Sequence, residues 1–246
     1  MVPESSDGRT FWEHLHRYRF ALPYARSKRV LDVACGEGYG TAALAAGGAA
    51  SVIGIDLSAE TCAHAHARYG VDARAGDAES IPLPNASVDN IVSFETIEHL
   101  RRPDAFLAEC RRLLAPGGTL VISTPNRPVY GLHAANNPFH LNEMTEAEFH
   151  AALSVHFNNL AIFGQCALLP RMLRLRGVRR LPTAFHRVFA PHATRAVTDA
   201  ERNKAQVWLQ QPPSWRDRFD PYAVRSMSAR QLRNACYLVA VATRGR

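Results

Sequence analysis

Residues 31–44, LDVACGEGYGTAAL, join an apolar run to a run of small residues through three glycines spaced two apart. This pattern predicts a buried strand, then a tight turn, then a helix. Gly36, Gly38 and Gly40 permit positive φ angles and let another molecule approach the backbone closely. The N-terminus of a helix also presents N–H groups that have no partner inside the helix. The stretch therefore predicts a turn that holds a nucleotide-like ligand, with Asp32 just before it.

The alternation of strand and helix continues along the rest of the chain. Alternating elements of this kind are typical of a mostly parallel sheet with helices on both faces. We therefore expect an α/β fold: a Rossmann-like, doubly wound, mostly parallel seven-stranded sheet with a long insertion before the last strand. The predicted strands lie at residues 29–34, 51–56, 71–77, 87–94, 119–124, 156–165 and 236–243.

The 246 residues fit a single domain. We expect a helical segment at 1–27, a ligand-binding core at 28–165, a basic insertion at 166–235 that faces the substrate or acts as a lid, and the last strand at 236–243. Long connections without a clear periodicity are usually functional or disordered. The single domain is therefore predicted to carry its variable, substrate-facing part late in the chain.

Charge is distributed unevenly along the chain. Residues 1–170 carry 13 Lys+Arg and 18 Asp+Glu, a net charge of −5, whereas residues 171–246 carry 16 and 4, a net charge of +12. Such a basic segment suits an anionic substrate, a phosphate-bearing carrier, RNA or a membrane face, and equally a solvated arginine-rich surface. Arginine supplies 27 of the 29 basic residues, which suggests a GC-rich bacterial genome.

The cysteines and the hydropathy of the sequence give an expectation for the cellular location of the protein. The five cysteines are scattered and form no CxxC pair, so reduced thiols and a cytoplasmic location are expected. The N-terminus has no signal-peptide pattern, and no apolar run approaches the roughly 20 residues of a membrane span.

Acidic residues follow three of the predicted strands, at the sheet edge where ligands of open α/β sheets bind. Asp56 stands twenty residues after Gly36, where a carboxylate can accept both hydroxyls of a ribose. Asp77 could receive an adenine amino group, and Glu95 ends the fourth strand. The glycines form GxGxG rather than GxGxxG, and GxxxxGK[ST] is absent. These departures from the two motifs argue against a dinucleotide or a nucleoside triphosphate as the ligand.

Four segments together carry a family resemblance: VLDVACGEGYG at 30–40, VIGIDLS at 52–58, GDAESIPLPNASVDNIVSFETIEHL at 76–100 and LLAPGGTLVISTPN at 113–126. In order and spacing they resemble the motif series of class I S-adenosylmethionine-dependent methyltransferases. The resemblance covers about residues 10–165 and the last strand. It implies a methyltransferase with S-adenosyl-L-methionine as its cofactor.

The resemblance also implies roles for individual residues. The glycine loop would face the amino-acid part of the cofactor, Asp56 the ribose, and Asp77 with Ala78 the adenine. Leu57 would pack on the adenine face, Phe94 and Glu95 would lie beside the sulfonium, and Arg17 and Tyr18 would approach the cofactor carboxylate. The predicted cofactor-binding residues are Tyr18, Asp32, Ala34, Gly36, Gly38, Asp56, Leu57, Asp77, Ala78, Phe94 and Glu95.

Methyl transfer to a hydroxyl requires alignment and a base or a metal ion beyond the fourth strand. Glu95, Glu98 and His99 would share one face if the segment were helical, and His133 and His140 follow the fifth strand. Carboxylate and imidazole ligands suit Mg²⁺ or Mn²⁺, and also Zn²⁺ or Fe²⁺. The candidate catalytic residues are His99, His140 and Glu95.

The ExxEH segment with a distant histidine resembles the metal site of small-RNA 3′-terminal 2′-O-methyltransferases, and the ExxEH of ubiquinone-biosynthesis O-methyltransferases. That resemblance implies the metal ligands Glu95, Glu98, His99 and His140. A metal-free histidine base and a purely structural role stay open. The other histidines are expected on surfaces or helices.

The acceptor is indicated only by a second resemblance. TPN…NPFHLNEMTEAEF, within residues 124–149, resembles methyltransferases of bacterial polysaccharide and natural-product pathways. It implies O-methylation of a small molecule or sugar, and the basic segment would suit a phosphate-bearing one. The alternatives are a natural-product N-methyltransferase, an RNA 2′-O-methyltransferase and a cofactor-binding regulator. No RNA-binding module is recognisable, so nucleic acid is not an expected partner.

Overall fold

The computed structural model describes residues 8–130, 137–165, 198–211, 220 and 222–245. A single sheet of eight strands runs through them in the order β3-β2-β1-β4-β5-β8-β6-β7. Neighbouring strands from β3 to β5 are parallel, and the pairs β5–β8, β8–β6 and β6–β7 are antiparallel. The strands are Arg29–Val33 (β1), Ser51–Asp56 (β2), Asp72–Ala75 (β3), Val88–Ser93 (β4), Leu114–Pro125 (β5), Asn159–Gln165 (β6), Val224–Ser226 (β7) and Tyr237–Thr243 (β8).

Helices flank this sheet, and a 3₁₀ turn, Ile97–His99, follows β4. The helices are Gly8–Ala25 (α1), Tyr39–Ala46 (α2), Ala59–Tyr69 (α3), Pro103–Leu113 (α4), Arg127–Tyr130 (α5), Glu146–His156 (α6), Asp199–Gln210 (α7) and Ala229–Leu232 (α8).

The predicted α/β class and mostly parallel sheet are confirmed, but the predicted number of seven strands is wrong. The additional strand, β7, pairs with Phe163–Gln165 and lies inside the predicted insertion. A strand of three residues is too short to show an alternating pattern in the sequence. The long helix α7 also lies in that insertion, whereas residues 166–197 fall outside the described part of the chain.

Local capping signals define the helix ends as expected. Ser58 caps α3 by accepting a hydrogen bond from the Thr61 N–H, and Gly70 ends that helix in the left-handed conformation. Thr145 and Glu148 form a reciprocal capping box at the start of α6. These caps fix where the chain enters and leaves each helix.

The core lies on both faces of the sheet. Leu31, Ile91 and Ile122 on one face are buried with Phe106 of α4 and Phe149 of α6. On the other face α1 and α2 pack against β1 and β4. Burial on both faces explains why β1, β4 and β5 carry apolar residues at successive positions, at 30–31, 91–92 and 120–122. Within the described residues, no helix is long and apolar enough to cross a membrane.

Candidate functional site

A cavity of about 310 Å³ lies at the carboxyl ends of β1, β2 and β4. This is the sheet edge at which open α/β folds bind ligands. Of the predicted site residues, the cavity is lined by Tyr18, Ala34, Gly36, Asp56, Leu57, Asp77, Ala78, Phe94, Glu95 and His99. Most of the predicted cofactor-binding residues therefore share one cavity.

Asp56 organises the glycine turn from the end of β2. One carboxylate oxygen accepts the Gly36 N–H at 2.9 Å, and the other accepts the Ser58 N–H at 3.0 Å. Gly36 has a φ of +54° and no atom within 4 Å of the position that a Cβ would occupy. The turn thus leaves open space beside a carboxylate that has further acceptor capacity. Leu57, which is 81% exposed, borders this space.

The predicted ligand contact of Asp32 is not seen, because Asp32 is fully buried behind the turn. It accepts hydrogen bonds from Thr41 Oγ1 at 2.7 Å and from the Tyr18 hydroxyl at 3.1 Å. Burial raises the pKa of Asp32 to about 7, against the lowering effect of these two donors. Asp32, in β1, therefore connects this strand to α1 and α2 by hydrogen bonds and supports the glycine turn from its buried side.

Gly38 also lies behind the turn rather than in the cavity. Its φ is +82°, and a Cβ there would lie 2.6 Å from the Ala65 Cβ and 3.0 Å from Val71. The residue is needed for close packing of the turn on α3.

We expect Gly38→Ala to lower the free energy of unfolding by about 3 kcal/mol, since left-handed backbone costs about 1–2 kcal/mol and overpacking about 1–3 kcal/mol. Chemical denaturation measures this change. Gly36→Ala is the control: it shares the positive φ but meets open space, so it should cost about 1 kcal/mol. Equal losses in the two variants would contradict the packing role of Gly38.

Arg17 and Tyr18 of α1 point to different places. Tyr18 lines the cavity and packs edge-on against Phe94, with ring centroids 5.1 Å apart. Arg17 is fully buried, donates to Gln165 Oε1 at 2.7 Å and stacks over the Tyr237 ring at 4.6 Å. Two of its nitrogens, Nε and Nη2, have no hydrogen-bond partner.

Glu95 stands where the strand β4 ends and is held in an unusual backbone conformation, with φ +53°. Its N–H donates to Ser123 Oγ at 3.2 Å, and that hydroxyl donates to Glu95 Oε1 at 2.9 Å. Burial raises the pKa of Glu95, although the Arg17 charge works against this shift. Strained backbone of this kind is typical of functional sites.

Three of the four predicted metal ligands converge beside the cavity. One ligand atom from each of Glu98, His99 and His140 lies within 4.8 Å of the other two, and Glu95 is not part of this group. The expected helical face is wrong, because only Ile97–His99 is helical and it is a 3₁₀ turn. The backbone carbonyl of Glu98 accepts the N–H groups of Leu141 and Asn142 at 2.7 and 2.9 Å. This pairing brings His140 to the turn.

Both histidines of this cluster are oriented through Nδ1. His99 Nδ1 is 2.9 Å from the Phe139 carbonyl, and His140 Nδ1 is 2.7 Å from Glu143 Oε1. In each histidine, Nε2 is therefore the ring nitrogen that can bind a metal ion or accept a proton. Burial lowers the pKa of His99, which favours the neutral imidazole that a base or a metal ligand requires.

Glu98 supplies a buried carboxylate to the cluster. Its side chain is fully buried, and Oε1 has no hydrogen-bond partner and lies 4.0 Å from His99 Nε2. Burial, and then the neighbouring Glu95 charge, raise the pKa of Glu98 well above its ordinary value. A cation would compensate this unpaired buried group.

Helix α1 contributes cavity residues that the sequence did not identify as binding residues, namely Thr10, Phe11 and His14. Burial, and then the Arg17 charge, lower the pKa of His14 well below its ordinary value. Nothing in the local pattern of α1 separates these residues from its other polar and aromatic ones. Their position depends on how the helix docks across the sheet edge. His133, His186 and His192 lie outside the described residues.

Residues 31–122 match the family described as a methyltransferase domain. A probable S-adenosylmethionine-dependent methyltransferase of Mycolicibacterium smegmatis is 44% identical over 143 residues, 56% of this chain and 55% of that protein. A ubiquinone biosynthesis O-methyltransferase of Chelativorans sp. is 35% identical over 122 residues, 48% of this chain and 47% of that protein. The chain thus spans about half the length of these curated relatives.

Among solved structures, a chain of the complex between the Trm112 methyltransferase activator and a methyltransferase of Haloferax volcanii is similar in fold. The TM-score is 0.61 at 22% identity, and the match covers 95% of this chain and 90% of that chain. At this identity the likeness shows the fold alone.

Proposed function

We propose that this chain, whose residues 31–122 match a methyltransferase domain, transfers a methyl group from S-adenosylmethionine to a hydroxyl of a small molecule or sugar. A divalent metal ion held by Glu98, His99 and His140 would assist the transfer. The observation that carries this proposal is the convergence of these three side chains next to the cavity at the carboxyl end of β4. The O-methyltransferase of Chelativorans sp. adds support for a hydroxyl acceptor.

The cavity fits S-adenosylmethionine, which supplies an electrophilic methyl group on a sulfonium. The open turn at Gly36 would receive its amino-acid part, since a Cβ there would occupy free space. Asp56 would accept hydrogen bonds from the ribose, and Asp77 with Ala78 would face the adenine. Phe94 and Glu95 would line the reacting end and exclude water from it.

The metal cluster would act on the acceptor oxygen. Two ligand atoms that are each about 2.1 Å from one ion lie at most about 4.2 Å apart. The 4.0 Å between His99 Nε2 and Glu98 Oε1 is inside that limit, whereas separations of up to 4.8 Å within the cluster would have to shorten when an ion binds. Two imidazoles and one carboxylate suit Mn²⁺, Fe²⁺ or Zn²⁺ better than Mg²⁺, which prefers oxygen ligands. An ion there would lower the pKa of a bound hydroxyl and orient it.

A metal-free variant of the same proposal uses a histidine as the base. His99 lines the cavity and its Nε2 is available, so His99 can accept the hydroxyl proton directly. Chelation separates the two variants: metal-assisted transfer is expected to stop in EDTA and to return with Mn²⁺, whereas a histidine base is insensitive to EDTA.

The proposal is tested by mass spectrometry of reactions with S-adenosylmethionine and a panel of sugars and vicinal diols. Conversion of a hydroxyl to a methyl ether, with a net mass gain of one CH₂, is the expected result. Transfer only to amines, or transfer to no acceptor by a protein that binds the cofactor, would contradict the hydroxyl assignment.

Glu143 offers a separate test of the metal site. We expect Glu143→Gln to weaken Mn²⁺ binding about tenfold or more, because its carboxylate fixes the Nδ1–H tautomer of His140. Calorimetric titration with Mn²⁺ measures this. Glu146→Gln, in the first turn of α6, is the matched control and should leave the affinity unchanged. Unchanged Mn²⁺ affinity in Glu143→Gln would count against His140 as a ligand.

A further inference from the structure

Helix α7, Asp199–Gln210, comes from the late part of the chain and packs against the wall of the cavity. Ala205 and Leu209 are buried against Phe11 and Leu15 of α1 and Ala43 of α2. Phe11 is itself a cavity residue. The apolar face of α7 thus supports one side of the cavity from outside.

Two polar side chains of α7 reach the glycine turn itself. Arg202 is 7% exposed, and its Nη1 lies 3.5 Å from Oε2 of Glu37, which is 8% exposed. Gln206 Nε2 donates to the Tyr39 carbonyl at 3.0 Å. Glu37 and Tyr39 flank Gly38 in the turn, and both line the cavity. A nearly buried ion pair and a backbone hydrogen bond therefore connect α7 to residues at the ligand end.

The outer part of α7 is anchored to α1. The Arg19 guanidinium lies 4.0 Å over the Trp208 ring and donates to the Trp208 carbonyl at 2.9 Å. His16 packs on the same ring, with centroids 4.6 Å apart. These contacts place α7 across α1 and α2 in one orientation.

We propose that α7 is a clamp on the cofactor end of the cavity, in which Arg202 and Gln206 position Glu37 and Tyr39 for cofactor binding. Removing the guanidinium weakens the charge compensation of the nearly buried Glu37 carboxylate, which also lies 3.9 Å from His64 Nε2, and so loosens the turn. By linkage, if α7 strengthens cofactor binding, the bound cofactor stabilises the docked helix by the same factor. The clamp rests on the proposed function, because its ligand is S-adenosylmethionine or the product S-adenosylhomocysteine.

Calorimetry measures S-adenosylhomocysteine affinity in Arg202→Gln, which removes the charge and shortens the side chain, and in Gln206→Met, which keeps the side-chain length and removes the donor. We expect about tenfold weaker binding in each variant, within the usual range of coupling between sites. Lys204→Gln is the control, because Lys204 is exposed on the same helix and loses the same charge. Its affinity should match the unmodified protein.

Hydrogen exchange supplies a readout that a merely structural role would not move. We expect S-adenosylhomocysteine to slow amide exchange at residues 199–210 of the unmodified protein, and to slow it less in Arg202→Gln. If Arg202→Gln does not fold, the clamp is tested by the S-adenosylhomocysteine affinity of Gln206→Met and by amide exchange in the unmodified protein. Unchanged affinity with unchanged exchange overturns the clamp and leaves the proposed function intact. An unmodified protein that binds no S-adenosylhomocysteine overturns the proposed function instead.

Discussion

Replacing Asp56 by asparagine is expected to weaken S-adenosylhomocysteine binding about 100-fold. The carboxylate holds the Gly36 N–H and the Ser58 N–H, one with each oxygen. In asparagine one of these acceptors becomes an NH₂ group that faces an N–H donor, so the turn loses a hydrogen bond to a charged group. Such bonds contribute about 1.5–3 kcal/mol, and each 1.4 kcal/mol is about tenfold in affinity. Calorimetric titration of the variant measures the loss.

Asp72→Asn is the matched control for this variant. Asp72 is an exposed acid of the neighbouring strand β3, and it pairs with Arg74 at 2.6 Å on the surface. Surface ion pairs of this kind contribute little to stability, and Asp72 is not a cavity residue. The control should bind like the unmodified protein. Binding by Asp56→Asn within twofold of the unmodified protein would remove Asp56 from the cofactor site.

Replacing Glu98 by glutamine is expected to lower the rate of methyl transfer at least 100-fold without changing cofactor affinity. The variant keeps the volume of a fully buried side chain but removes the charge that a cation needs. Activation of an acceptor hydroxyl by a metal or a base contributes about 10²–10⁴-fold to such rates. Single-turnover transfer and calorimetry with S-adenosylhomocysteine measure the two quantities separately.

Glu60→Gln, an exposed acid in the first turn of α3, controls for the loss of one carboxylate. It should retain full activity. Two outcomes for Glu98→Gln would contradict the assignment: full activity, or a cofactor affinity that falls in parallel with the rate. The second outcome would show that Glu98 supports the cofactor cavity rather than the acceptor side.

The sequence predicts best where chemistry and backbone signals coincide. Gly36 and Asp56 were identifiable because their residue types indicate their roles. Glycine indicates a turn with positive φ, and an acid at the end of the next strand indicates a ribose-binding carboxylate. The capping signals at Ser58 and Thr145 marked their helix starts for the same reason. The resemblance to class I methyltransferases, built on these motifs, is confirmed by the match over residues 31–122.

Other features depend on tertiary contacts that leave no local pattern. Asp32 precedes the glycine turn as a ligand residue would, yet Thr41 and Tyr18 occupy its carboxylate from the buried side. The segment from Glu95 to His99 would have shared one face as a helix, but Glu95 has left-handed backbone and only Ile97–His99 is helical, as a 3₁₀ turn. His14 and Arg202 join the site only because α1 and α7 dock there.

We expect the cavity at the carboxyl ends of β1, β2 and β4 to bind S-adenosylmethionine. Titration calorimetry of the purified protein with S-adenosylhomocysteine tests it most directly, with the Asp56→Asn variant titrated alongside. We expect one site per chain with micromolar affinity, weakened about 100-fold in the variant. The absence of binding at millimolar S-adenosylhomocysteine, by protein that is folded and monodisperse, would contradict it.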